Sequence, residues 1–371
     1  MTMVIAHHCG LLPFGWVGVW LFFVISGYVI TRGFLVEGDD PLGHAHQYKA
    51  FMWRRATRII PVYLLYLVIA SSTLLAVDDA ANLGDMPFML TFTYNFQRIF
   101  DFVPVPHRFM PFEPLWTLSV EQQFYLLFPL LFLFVSRRNF VRIAVGLIVL
   151  APLARMLFSW RLASAGMDPA HQAFGVFAAS FCQYDAFLIG GLIAERETLI
   201  RNDPSIHRRL AIATGIVTTA FVLVMMAVNY NLGARGVGII KNIFSGVLAG
   251  QGREVACYVA VDLISAVVLV GAIRQLHAFR FLASPLMSWV GKVSYGGYLY
   301  HALVLWFLFR LVGTAEVPAS LALRIAIFIA CWLITIALAS LTFRVFEQPI
   351  ITWARGKAEL STDRKLSSSP A

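Results

Sequence analysis

The sequence predicts an all-α fold, a polytopic membrane helix bundle with about ten transmembrane helices. Of the 371 residues, 59% are hydrophobic and only 13% are charged, whereas a soluble domain carries about 25% charged residues. Apolar runs of roughly 20 residues, long enough to cross a bilayer, recur along the chain. Since a soluble core of this size could not bury so much apolar surface, we expect lipid to cover it.

The apolar runs place predicted spans at 1–13, 15–35, 59–77, 114–136, 142–160, 174–194, 210–230, 255–273, 288–312 and 320–345. The first run is too short to cross about 30 Å of hydrocarbon. We therefore expect the native chain to begin upstream of residue 1. The membrane domain is predicted to cover residues 1–351, followed by a polar cytoplasmic tail over 352–371, which we expect to be disordered.

Basic residues are distributed unevenly between alternate loops, in a ratio of about three to one. This bias predicts that loops 36–58, 137–141, 195–209 and 274–287 and both termini face the cytoplasm. The topology thus accounts for the net charge of +9 without a nucleic-acid partner. The four cysteines lack CxxC spacing and predict neither a disulfide framework nor a metal site. No pattern indicates an oligomeric state.

Two adjacent histidines, His7 and His8, lie inside the first apolar run. Neighbouring positions on a helix point about 100° apart, so only one of the two can face a given cavity. A neutral imidazole can accept a proton from a hydroxyl, which makes either residue a candidate general base. Packing at a helix end is the alternative of equal weight.

Charged residues also occur at the border of one predicted span and inside another. Arg55 and Arg58 share a helix face at the predicted cytoplasmic border, where guanidinium groups suit phosphate; ordinary topology anchors are the alternative. Glu121 lies inside the fourth span, flanked by Trp116 and Ser119. A carboxylate there must be neutralised, hydrogen-bonded or open to water, which favours a functional role or an essential polar contact.

Polar residues also occur in the sixth and ninth spans and at the end of the tenth: Asp185, Ser294, Tyr295, His301 and Glu347. We expect Asp185 to pair with a cation on another helix. Glu347 is expected to pair with Arg344 or with a basic cytoplasmic group. A structural polar lock is the alternative for the residues of the last two spans.

Taken in order, these motifs resemble the acyltransferase-3 family of integral membrane acyltransferases, which includes O-antigen and nodulation-factor acetylases. The resemblance covers nearly the whole chain: the two histidines, GVWLFFVISGYVIT, RRATRIIP, LWTLSVEQQFYLLFP, YDAFLIGGLIA, VGKVSYGGYLYH and FRVFEQP. It implies a multi-pass protein of the bacterial cytoplasmic membrane with no metal or bound cofactor. It further implies that acyl-CoA, usually acetyl-CoA, serves as co-substrate for O-acetylation of a polysaccharide or lipid-linked glycan, as in lipopolysaccharide or exopolysaccharide biosynthesis.

The resemblance also implies roles for individual residues. His8 best matches the essential histidine, with His7 as the alternate, and Arg55 and Arg58 match the paired arginines, expected to bind acyl-CoA. Glu121 completes the catalytic set, either by orienting His8 or by ordering the cavity. The supporting polar network consists of Trp116, Ser119, Asp185, Ser294, Tyr295, His301 and Glu347.

This sequence departs from the family pattern at two places. Trp20 occupies a position where the family tends to have Asp, so a role for that carboxylate is absent or reassigned. The basic residue that usually precedes the histidine by eleven positions would fall before residue 1. A glycan transporter or flippase, and a non-catalytic membrane scaffold, are the alternative functions. The aromatic, proline-rich segment 100–114 is either an acceptor contact or an interfacial aromatic belt.

Overall fold

A computed structural model describes residues 1–38, 40–79, 83–102, 109–240, 243, 252–314 and 317–367, with side chains through residue 357. Throughout these ranges the chain is helical and contains no strand, which confirms the all-α prediction. The helices are α1 (Thr2–His8), α2 (Val17–Glu37), α3 (His44–Ala76), α4 (Met86–Leu90), α5 (Tyr94–Phe100), α6 (Leu115–Phe134), α7 (Arg137–Ser164), α8 (Pro169–Ala178), α9 (Tyr184–Glu195), α10 (Glu197–Asn202), α11 (Pro204–Asn231), α12 (Arg253–Ile273), α13 (Pro285–Lys292), α14 (Ser294–Leu311), α15 (Leu321–Thr342) and α16 (Gln348–Ser367).

Within the described ranges, seven helical segments are long and apolar enough to cross a membrane, against ten predicted spans. They are α2, α3, α6, α7, α11, α12 and the continuous run that begins with α15. The other three predicted spans take different forms. α1 has only 7 residues, the span at 174–194 is divided between α8 and α9, and the span at 288–312 is divided between α13 and α14.

The break between α8 and α9 frees backbone carbonyls inside the bundle, where they must find partners. Side chains supply these hydrogen bonds: Gln183 donates to Val176 at 2.6 Å, Asn95 to Ala178 at 3.1 Å and Arg155 to Cys182 at 2.8 Å. An apolar run that reads as one span can therefore fold as two helices without leaving these carbonyls unpaired.

Helices α2 and α9 cross in direct backbone contact. A Cβ on Gly27 would lie 1.9 Å from the carbonyl oxygen of Phe187, and a Cβ on Gly190 would lie 1.9 Å from that of Val24. Only glycine permits this approach. In lipid, where apolar side chains gain little from leaving the solvent, such close packing is a main source of helix association.

Outside the spans, Glu197 of α10 ties that helix to the end of α2. Its carboxylate accepts hydrogen bonds from Tyr28 at 2.8 Å and Arg32 at 2.9 Å, and it pairs with Arg201 at 2.6 Å. Burial alone would raise the pKa of Glu197, but these hydrogen bonds outweigh it and leave the pKa below its ordinary value. The carboxylate therefore contributes to stability in its ionised form.

A π-helical turn, Phe343–Glu347, joins α15 to α16. Past this turn, Trp53 of α3 donates to the carbonyl of Ala354 at 3.2 Å, and Ala354 is buried. Residues 352–367, predicted as a disordered tail, are helical in the structure, whereas 368–371 lie outside the described residues. The helix is continuous across the boundary predicted at residue 351.

Candidate active site

The predicted site residues gather in two groups that share helix α14. Tyr295 belongs to one group and His301 to the other, six residues later, which corresponds to about 9 Å along the helix axis. We call the first group the arginine cavity and the second the histidine cluster, and define each by its residues below.

The arginine cavity has a volume of about 1170 Å³ and lies between α2, α3, α13 and the π turn. It is at the end of the bundle that the basic loops predict to be cytoplasmic. Its titratable lining residues are Glu37, Asp40, His46, Arg54, Arg55, Arg58, Lys292, Tyr295, Glu347 and Arg355, and Trp53 and Trp289 add aromatic surface. The lining is thus mixed in sign but predominantly basic.

Arg55 and Arg58 lie one helical turn apart on α3, as predicted. The Arg55 guanidinium lies over the rings of Phe51, at 5.6 Å, and Tyr125, at 5.0 Å. Within the part of the chain that the structure describes, neither arginine forms a hydrogen bond or an ion pair shorter than 4 Å. Both guanidinium groups therefore retain donors for an anionic ligand.

Glu121 lies with the arginines and not with the histidines. Ser26 donates to its Oε1 at 3.4 Å, and Oε2 has no hydrogen-bond partner in the described structure. Its carboxylate interacts electrostatically with Arg55 and Arg58. The two roles left open by the sequence were to orient His8 or to order the cavity, and this position fits the second.

Glu347 projects from the π turn into the same cavity. One of its two expected partners, Arg344, instead lies over the ring of Trp289 at 5.1 Å. Glu347 interacts electrostatically with Arg58, a basic group at the predicted cytoplasmic end. A Cβ on Gly296 would lie only 3.1 Å from its Oε1, so the absence of a side chain at 296 makes room for the carboxylate.

The histidine cluster consists of His7 and His8 at the end of α1, His301 of α14, and Phe109. The His8 ring lies 4.9 Å from Phe109 and 5.8 Å from His301, centre to centre. His7 Nδ1 lies 3.2 Å from the carbonyl of Leu12, so one of its nitrogens is engaged by the backbone. In the described structure His8 makes no hydrogen bond, and its charged or titratable neighbours are His301, His7 and Glu113.

Three other predicted residues make contacts that account for them structurally. Each packs or bonds within its own neighbourhood: the Trp116 ring lies 4.7 Å from that of Phe177, Ser119 donates to the Leu115 carbonyl at 3.4 Å, and Ser294 donates to the Gly291 carbonyl at 2.8 Å. None of these three contacts involves His8, Arg55 or Arg58.

Asp185 has the cationic partner that the sequence predicted without identifying it. Arg155 of α7, fully buried, donates to both oxygens of Asp185 at 2.7 and 2.6 Å. A second buried carboxylate, Asp262 of α12, lies 3.7 Å from the same guanidinium. Arg155 and Asp262 are not among the candidates predicted from the sequence, although both are ionisable residues inside predicted spans, the same signal that indicates Glu121.

Trp20 fills the position at which the family tends to carry a carboxylate. Its ring is fully buried and stacks on Tyr258 at 5.0 Å with an interplanar angle of 15°, and its Nε1 donates to Gln183 at 3.1 Å. The site is thus packed by aromatic rings. Among the described residues no three metal-ligating side chains converge.

Comparison with known proteins gives consistent results. The profile of the acyltransferase-3 family, described as an acyltransferase domain, matches residues 1–344. The chain is 27% identical over 369 residues to the peptidoglycan O-acetyltransferase OatA of Listeria monocytogenes, covering 94% of this chain and 53% of that protein. It is 25% identical over 347 residues to the O-acetyltransferase OatA of Staphylococcus aureus strain NCTC 8325, covering 91% and 52%.

The chain spans about half the length of these curated relatives. No solved structure matches it. The family match extends over nearly all of the helices that form the arginine cavity and the histidine cluster. The chain therefore belongs to the acyltransferase-3 family.

Proposed function

We propose that this chain transfers an acyl group, in the first instance acetyl, from acyl-CoA to a hydroxyl of a cell-surface or lipid-linked glycan, with His8 as general base. One observation carries the proposal: a single helix, α14, borders both a cavity with unpaired arginines and a histidine with unpaired nitrogens. Along the axis of α14, Tyr295 of the first site and His301 of the second are about 9 Å apart.

The donor side of the proposal rests on the arginine cavity. Coenzyme A carries a diphosphate and a 3′-phosphate, and guanidinium groups bind such anions through paired, charge-assisted hydrogen bonds. Arg55 and Arg58 would bind phosphate oxygens, while Glu121 and Glu347 hold the two side chains extended toward the cavity. The donor would enter from the cytoplasm, consistent with a protein of the cytoplasmic membrane whose basic end and termini face inward.

The acceptor side rests on His8. Its ring would accept the proton of the acceptor hydroxyl while the oxygen attacks the thioester carbonyl carbon. The carbon–sulfur bond then breaks, and the departing thiolate takes the proton back from His8. General-base assistance of this kind contributes typically about 10²–10⁴-fold. His7 is the alternate base, because an Nδ1–H donated to the Leu12 carbonyl would leave the lone pair of its Nε2 free.

The acceptor class is proposed from the relatives. One of them is named a peptidoglycan O-acetyltransferase, which makes a hydroxyl of an envelope glycan the first acceptor to test. His8 would meet this acceptor from the side of the bundle opposite the arginine cavity.

The test uses envelopes from the source strain deleted for this gene and complemented with wild-type or variant protein. [¹⁴C]acetyl-CoA is added, and label is measured in the washed glycan fraction. We expect wild-type protein to label it, His8→Ala to lose at least about 100-fold, and the matched variant His7→Ala to retain most activity.

Two results would contradict the proposal. Wild-type labelling by His8→Ala would exclude it as the base. Absence of label with wild-type protein, despite normal amounts in the membrane, would favour a transporter or a scaffold instead.

A further inference from the structure

We propose that His301 is the positioning residue of this site and that its Nε2 accepts a hydrogen bond from the ring N–H of His8. The inference rests on the proposed function, since it assigns the partner of the proposed base. It replaces Glu121, which lies with the arginines, as the group that orients His8.

The tautomer of His301 follows from its environment. Its Nδ1 lies 2.5 Å from the backbone carbonyl of Tyr298. A carbonyl only accepts, so Nδ1 carries the proton, and the neutral ring therefore has its lone pair on Nε2. That nitrogen is fully buried and has no hydrogen-bond partner within the described ranges. A buried acceptor of this kind costs free energy unless a donor reaches it.

His8 is a neighbouring candidate donor, and the amino group of Met1 also lies near His301. The ring centres of His8 and His301 are 5.8 Å apart and the planes differ by only 27°. At this separation the two rings are neighbours with nearly parallel planes, and no hydrogen bond joins them in the described structure. Hydrogen bonds at a reaction centre are often long before substrate binds and tighten afterwards.

The surroundings hold His301 in this orientation. Thr117 of α6 donates to the Tyr298 hydroxyl at 2.8 Å, and the Tyr298 ring lies 5.2 Å from that of His301. Cys331 of α15 contacts the His301 carbonyl at 3.7 Å. Helices α6, α14 and α15 thus fix the acceptor, while His8 is attached only through the short helix α1.

The hydrogen bond to His301 would determine which nitrogen of His8 has its lone pair available as the base. When its N–H points to His301, the other nitrogen has its lone pair available for the acceptor hydroxyl. After proton transfer, His8 carries two N–H groups, and the bond to His301 disperses the new charge. No proton leaves His8 for His301 in this scheme, so the proton balance of the transfer is unchanged.

Two amide substitutions separate positioning from packing. In His301→Asn the amide reproduces Nδ1 and its contact with the Tyr298 carbonyl but has nothing at the position of Nε2. In His301→Gln the amide reaches the position of Nε2. We expect His301→Asn to lower kcat about tenfold or more in the labelling assay, with the KM for [¹⁴C]acetyl-CoA unchanged, and His301→Gln to recover part of the loss.

The second readout is a double-mutant cycle with His8→Ala. If His301 acts through His8, His301→Asn adds no further loss in the His8→Ala background. Binding of [¹⁴C]acetyl-CoA to the purified variants confirms that the bundle is intact.

Equal losses in the Asn and Gln variants, additive losses in the double mutant, or full activity of His301→Asn would each overturn the inference while leaving the proposed function in place. Absence of label with wild-type protein would instead remove the proposed function itself.

Discussion

Replacing Asp185 by asparagine tests how the buried charges of the bundle are balanced. Arg155 donates to both oxygens of Asp185, at 2.7 and 2.6 Å, whereas the nearest oxygen of Asp262 is 3.7 Å away. Both carboxylates are buried and both face the same guanidinium. Asp185→Asn and Asp262→Asn are therefore chemically identical changes that differ in the hydrogen bonds lost.

The expected magnitudes follow from that difference. Asp185→Asn removes one charge-assisted hydrogen bond and the ionic partner of a buried arginine, but keeps one amide oxygen as acceptor. A hydrogen bond to a charged group contributes about 1.5–3 kcal/mol, so we expect a loss of about 2–3 kcal/mol in the free energy of unfolding. Asp262→Asn loses only the longer contact with Arg155, at 3.7 Å, and should remain within about 1 kcal/mol of wild type.

The assay is reversible unfolding in mixed micelles, in which the SDS fraction is raised and tryptophan fluorescence reports the loss of structure. Parallel circular dichroism checks that both probes follow one transition. An Asp262→Asn variant as unstable as Asp185→Asn would refute the assignment of Asp185 as the counterion of Arg155.

Three further outcomes are expected. Gly27→Ala, which places a Cβ in the α9 backbone, should abolish monodisperse protein in size-exclusion chromatography, whereas Gly33→Ala on the same helix meets nothing within 4 Å and should be neutral or up to about 1 kcal/mol more stable. The pKa of Glu197 is lowered in the folded state. Its contribution to stability should therefore be present above the unfolded pKa of about 4.3 and be lost as the pH falls through the folded pKa. The difference in unfolding free energy between wild type and Glu197→Gln should vanish in acid, and a difference that does not depend on pH would contradict this. Arg58→Gln should raise the KM for acetyl-CoA by about 10–100-fold. Arg54→Gln should have a smaller effect, because the Arg54 guanidinium already pairs with Glu37. Equal effects of the two substitutions would argue against phosphate binding by Arg58.

Apolar length and periodicity are enough to predict the helical class but not the number of crossings. The run at 174–194 is predicted as one span because hydropathy does not show that side chains can donate hydrogen bonds to backbone carbonyls where a helix is interrupted. Gln183 and Asn95 make a break possible there, and their partners become adjacent only after folding. In the same way, the sequence of the predicted span 288–312 does not show that one helix, α13, ends at Lys292 and another, α14, begins at Ser294.

The candidate site was predictable by residue type and only partly by grouping. Spacing along one helix correctly places Arg55 beside Arg58. The sequence does not indicate which residues from different helices meet. It therefore allows Glu121 as a partner of His8, although Glu121 lies with the arginines. The contact between His8 and His301 joins residues almost 300 positions apart and could be recognised only in the folded bundle.

The π turn at residues 343–347 has a consequence for how the end of the chain tolerates change. Such a turn accommodates an extra residue, and each residue rotates a helix by about 100°. Deleting one residue here would swing α16 by that angle, withdrawing Glu347 from the cavity wall and Ala354 from Trp53 together. Val345 is 70% exposed, so a change of its side chain should disturb neither contact, whereas a change in the number of residues in the turn should disturb both.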